Sequence, residues 1–130
     1  MKNIVENNKL IAEFMGLDWE EVVEQCKFNL YESGHRNNEI IDNPEYWTCY
    51  NSSWDWLMKV VEKIESLPDE ENNGAFFFEI YQDSVSIIFS NDDYIIDLIN
   101  VMGQGSRINN VYQAVVEFIQ LYNKANKSLS

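Results

Sequence analysis

The sequence predicts an α+β fold: a small antiparallel sheet of three or more strands with helices packed on one face. Two helical stripes and one change of period carry that reading. Trp54, Leu57, Met58, Val61 and Ile64 recur at i, i+3, i+4, i+7 and i+10, and Ile108, Val111, Tyr112, Val115, Ile119 and Tyr122 trace a second apolar face. Between them the period falls to two. Phe76–Tyr81 and Val85–Ser90, rich in aromatic and β-branched residues, flank Gln82-Asp83-Ser84 as the arms of a hairpin.

Residues 4–15 read as a first helix, with Leu10, Ile11, Phe14 and Met15 grouped and Gly16 placed to stop it. A second helix starts at once. Asp18 and Glu21 have capping-box spacing, and Trp19, Val22, Val23 and Cys26 fall on one stripe. From Lys27 the period is lost. Phe28 and Leu30 alternate like a short strand, and residues 32–44 form a long polar loop, a length often functional or mobile. Tyr46–Tyr50 alternates aromatic and small residues, which suits a strand leading into the 52–65 helix. Ser52 is that helix's candidate N-cap, Pro68 closes it, and Asp69–Gly74 is an acidic turn. Tyr94–Val101 fits strand or helix, and its short apolar run favours a third strand. Met102–Ser106 is a glycine-containing loop with Ser106 as N-cap of the last helix, and residues 124–130 form a polar, fraying tail. No repeat or linker divides residues 1–130, so the chain reads as one domain.

Composition narrows the function classes. Seven Phe, seven Tyr and four Trp supply a core and exclude global disorder. A formal charge of −13 disfavours direct nucleic-acid binding, which depends on Lys and Arg displacing counterions, and disfavours anionic membranes; it favours a basic protein partner. The N-terminal residues lack an apolar signal region and no apolar run spans a membrane, so a cytoplasmic protein with Cys26 and Cys49 as free thiols is expected.

Three blocks, residues 8–16, Ser53–Glu65 and Val111–Ile119, occur in an order that resembles a family of small uncharacterised proteins from phages and prophages of Bacteroidetes bacteria. The shared pattern includes Ser-Trp-Asp-Trp-Leu-Met, with Lys59 standing where the family often has proline, and Val-Tyr-x-Ala-Val-Val-Glu-Phe-Ile. The resemblance implies a setting in a bacterial host cell and an accessory role on host machinery. It transfers no activity and no catalytic residue.

No catalytic constellation is legible. Cys26 and Cys49 offer His35, the only histidine, no marked nucleophile geometry, and one histidine with two distant cysteines makes no zinc pattern. Asp92-Asp93, Asp97 and Asp69-Glu70-Glu71 cluster oxygen donors without an EF-hand pattern. Neither a metal nor a cofactor is therefore assigned. Two readings follow. In the first the chain is a non-enzymatic acidic interaction protein, an inhibitor or a mimic of nucleic-acid charge, with Tyr46, Trp47, Tyr50 and Trp56 as an aromatic contact patch. In the second it is a small-ligand or nucleotide-derivative binder, or an enzyme, with a pocket between sheet and helices, and His35, Arg36, Gly103, Gly105 and Ser106 hold an anion. Both are compatible with a homo-oligomer.

Overall fold

A computed structural model of the chain describes residues 4–34, 36–67 and 74–129. The order of elements is α1 (Ile4–Phe14), α2 (Trp19–Glu32), α3 (Asn38–Ile41), a 3-10 turn (Pro44–Tyr46), α4 (Trp54–Glu65), β1 (Ala75–Ile80), β2 (Ser84–Ser90), β3 (Ile95–Met102) and α5 (Arg107–Leu129). The fold class is the one the sequence predicts. His35, the Pro68 stop, the turn that follows it and the Asp69-Glu70-Glu71 group lie outside the described residues.

Each helix end has a local cause. Gly16 sits at φ +75°, where its N–H reaches Glu13 and the Leu17 N–H reaches Ala12, so a left-handed residue satisfies two orphan carbonyls. The Lys63 ammonium of α4 donates to the Phe14 carbonyl and lies 4.8 Å from the Phe14 ring, placing a cation at the negative end of α1. Ser106 accepts from the Asn109 N–H at 3.3 Å and caps α5.

Six local expectations are corrected. The Phe28–Leu30 segment is the end of α2, because Val22, Cys26 and Leu30 continue one buried helical stripe while Phe28 points away. Asp18 occupies the cap position of α2 but accepts no cap hydrogen bond. Tyr46–Tyr50 is no strand: the Ser52 hydroxyl donates to the Trp47 carbonyl and accepts the Cys49 N–H, folding the segment into a turn. Since Ser52 is used there, Ser53 caps α4 instead, accepting from Trp56. The 32–44 stretch holds α3, started by Asn37 accepting from the Glu39 N–H at 2.8 Å, and the polar tail stays helical to Leu129.

The sheet is antiparallel in the order β1-β2-β3. The hairpin registers Phe78 with Ile87 and Phe76 with Phe89, and β3 follows β2 with a bulge opposite Ile87/Ile88 that makes Leu98 the extra residue. Val85, Ile87, Ile99 and Val101 form the buried face, covered by Val111, Val115 and Ile119 of α5. Phe76 meets Phe118 edge-on at 5.0 Å, carrying this layer toward α4 and α1. The α4 stripe that enters the core is Leu57, Val60, Val61 and Ile64. Trp54, read from the sequence as core, stands at the first position of α4 with 39 % of its surface exposed. Helical angle specifies the face a residue shares; it does not specify how far the helix runs past its neighbours.

One buried polar link ties the ends of the chain together. Asn8, fully buried on α1, donates to Asn51 at 3.1 Å and accepts the Tyr112 hydroxyl at 3.1 Å. Replacing it strands two partners, so Asn8→Ala is expected to cost about 2 kcal/mol in urea unfolding. Leu57→Ala is expected to cost about 3 kcal/mol and Trp54→Ala under about 1 kcal/mol, an order opposite to side-chain size that denaturant midpoints will read directly.

Candidate functional site

The expected aromatic patch is divided by the fold. Trp47 and Tyr50 are buried, Trp56 is half-buried, and Tyr46 alone stays exposed. Trp47 donates its indole N–H to the Ile41 carbonyl, with Lys27 5.6 Å from the ring, and so anchors the α3 turn. Tyr50 and Trp56 do meet, edge to face at 5.3 Å. They line a cleft of about 460 Å³ between the α1–α2 turn, α2 and α4, with Asp18, Glu21 and Gln25 among its polar walls and Lys59 among its lining residues. Lys59 therefore faces this cleft.

The expected anion site is also reshaped. Arg36 lies over the Tyr31 ring at 4.7 Å and donates to the Tyr31 hydroxyl at 2.9 Å, so its guanidinium is held against the last turn of α2. Gly103, Gly105 and Ser106 line a shallow hollow with Gln82, Asp83 and Asn110. Its backbone donor is already engaged: the Gln104 N–H reaches the buried Asn110 Oδ1 at 3.1 Å. Asp83 adds a carboxylate to its lining. The sheet–helix interface itself is filled by fully buried Val85, Ile87, Val111 and Val115, and both hollows described here lie outside it.

Cys26 of α2 and Cys49 of the turn before α4 share the core, both fully buried, and hydrogen bonding to Cys49 followed by burial holds the Cys26 thiol far above its ordinary range. Such a thiol is inert as a nucleophile. Asp92 and Asp93 sit in a turn that Asn91 organises, its side chain accepting both the Asp93 and Tyr94 N–H groups at 2.8 Å. Among the described residues no three His, Cys, Asp or Glu side chains converge on a cation position, and no helix is long and apolar enough to cross a membrane.

The surface that the sequence reading missed is the sheet face turned away from the helices. Strand pairing places Phe77, Ile88 and Asp97 in one row across it, and Glu79, Ser86 and Asn100 in the next. Phe77 and Tyr81 are about half exposed, Ile95 is 72 % exposed and Met102 69 % exposed. The charge along this stretch of sequence has one sign. Residues 64–106 contain nine carboxylates and no Lys, Arg or His. The consequence is felt by Tyr81, whose phenol is held above its ordinary pKa first by the Glu79 carboxylate and more weakly by Asp97. Strand alternation was the available signal, since the partners of Val85, Ile87 and Phe89 must leave the intervening residues on the opposite face.

Comparison with family models, with curated proteins and with solved structures finds no match for this chain.

The buried groups make two expectations checkable. Neither cysteine should react with a thiol reagent in the native protein at mildly alkaline pH, and both should react after unfolding. Burial raises the Tyr50 phenol from 10.0 to about 12, with negative charge at Cys49 adding to it. A pKa raised by folding contributes stability that is complete below the unfolded value and lost as pH rises through the folded one. Stability should therefore fall between pH 10 and about 12, and Tyr50→Phe should flatten that fall in pH-dependent denaturation.

Proposed function

We propose that this chain is a non-enzymatic interaction protein that binds a basic protein partner through the open face of its sheet. The observation that carries the reading is the coincidence on that face of exposed Phe77, Tyr81, Ile95 and Met102 with the carboxylates of Glu79 and Asp97, within a sequence segment, 64–106, that contains no Lys, Arg or His. Aromatic and apolar anchors supply contact energy, while a one-signed surround steers an oppositely charged partner and raises its association rate. The carboxylates are spread over α1, α2, α4 and the sheet, so the reading rests on this face and not on mimicry of a phosphate ladder. The resemblance to phage and prophage proteins supports a setting in the bacterial host cytoplasm, with the chain acting as an accessory factor on a host protein.

A second reading draws on the α2–α4 cleft, where Tyr50, Trp56 and Lys59 together offer an aromatic wall and a cation to a small ligand. The two are separable. A basic bait captured from bacterial lysate should be lost on Glu79→Lys/Asp97→Lys, with affinity falling about tenfold or more and the remainder abolished by salt. Trp56→Ala should leave that capture intact. Loss of capture in Trp56→Ala with retention in the sheet variant, or a thermal shift by a small molecule that Trp56→Ala removes, would move the function to the cleft.

A further inference from the structure

The two edges of the sheet are treated differently by the fold. The outer edge of β1 is covered: α4 packs along it, and the Glu65 carboxylate accepts the outward Phe78 N–H at 3.0 Å. β3 has no neighbour beyond it among the described residues. It runs for eight residues, Ile-Ile-Asp-Leu-Ile-Asn-Val-Met, without the lysine or proline that commonly blunts a free edge. Its side chains are unfinished as well. Ile95 and Met102 on the open face are the most exposed large apolar residues described, and Ile96, paired with Phe89 on the helix-covered face, is still 43 % exposed. The bulge at Leu98 leaves a regular run on each side, Ile95–Asp97 and Ile99–Met102.

From this asymmetry we propose that β3 accepts an additional strand from the partner, an extended segment in which basic and apolar residues alternate. The inference rests on the interaction reading above and names the partner's chemistry and its seat. Backbone pairing along β3 would supply affinity independent of sequence, and alternate side chains would supply choice. On the open face a guest Lys or Arg would stand beside Asp97 and Asn100; on the other face a guest Val or Ile would cover Ile96 and continue the layer beneath it. Charge selects this occupant over a second copy of the chain. Two copies joined through β3 would bring together two molecules of charge −13 and two sheets whose only ionised side chains are carboxylates.

The test uses the full chain with a fluorescent Lys-Val-Lys-Val-Lys-Val-Lys peptide, the same spacing with Glu for Lys, and a version with its central valine replaced by proline. Anisotropy should show salt-sensitive binding of the first peptide and loss of about tenfold or more with the other two. Hydrogen exchange should show new protection confined to residues 95–102. Ile95→Lys/Met102→Lys should weaken binding by about tenfold or more, whereas Glu20→Lys on exposed α2, which changes net charge equally, should weaken it far less. Equal weakening by the two variants, or protection on another surface, overturns the β3 seat and leaves the interaction reading standing. No binding of the basic peptide at low salt overturns both. A wild-type dimer with β3 protected in the absence of peptide overturns the choice of occupant.

Discussion

A three-stranded sheet with one covered face is the constraint on which the rest of this protein depends. A sheet this small cannot hold itself together in water, because its backbone pairing is stable only when one face is removed from solvent. α5 supplies that removal. Val111, Val115 and Ile119 lie under Val85, Ile87, Ile99 and Val101, and the same helix reaches α1 and α4. The remaining helices are organised by what α5 leaves over. α4 takes the β1 side, and α1 closes the end where Tyr112 and Asn8 meet.

Among the described residues the same arrangement leaves the second face of the sheet and one of its edges without protein cover. In a protein whose function ended with its own stability, that surface would be expected to carry lysines and other solvated side chains. Here it carries Phe77, Tyr81, Ile95 and Met102 beside Glu79 and Asp97. An open face follows from geometry; its apolar and anionic composition is a property of these residues. That distinction supports placing the interaction surface on the sheet and not on the expected aromatic patch, of which Trp47 and Tyr50 are buried.

Much of the architecture was legible in the sequence because period is a direct record of which residues share a face. The hairpin, the third strand, the Gly16 stop, the Ser106 cap and the α5 stripe all follow from spacing and turn chemistry. The failures share a cause. Phe28–Leu30 and Tyr46–Tyr50 are short, and over three to five residues alternation is produced as easily by a helix end or a hydroxyl-held turn as by a strand. Ser52 and Ser53 are adjacent equivalents, and only the Trp47 carbonyl determines which of them is free to cap α4. Candidate site residues were the least legible. Aromatic content and charge point to a contact surface, but Trp47 is buried with its indole bonded to the Ile41 carbonyl, and Tyr50 is buried against Trp56.

By itself the sequence determined the α+β class, the helical and strand faces, the excess of carboxylates and the absence of a recognisable catalytic motif. These are local or additive properties, set by period, capping chemistry and counted charge. Tertiary structure alone decided which tryptophan was buried, that Tyr50, Trp56 and Lys59 would share a cleft, and that Glu65 would cover one sheet edge while β3 has no neighbour beyond it among the described residues. Those outcomes depend on which elements lie side by side, and that is settled by how the faces pack rather than by the residues of any one face.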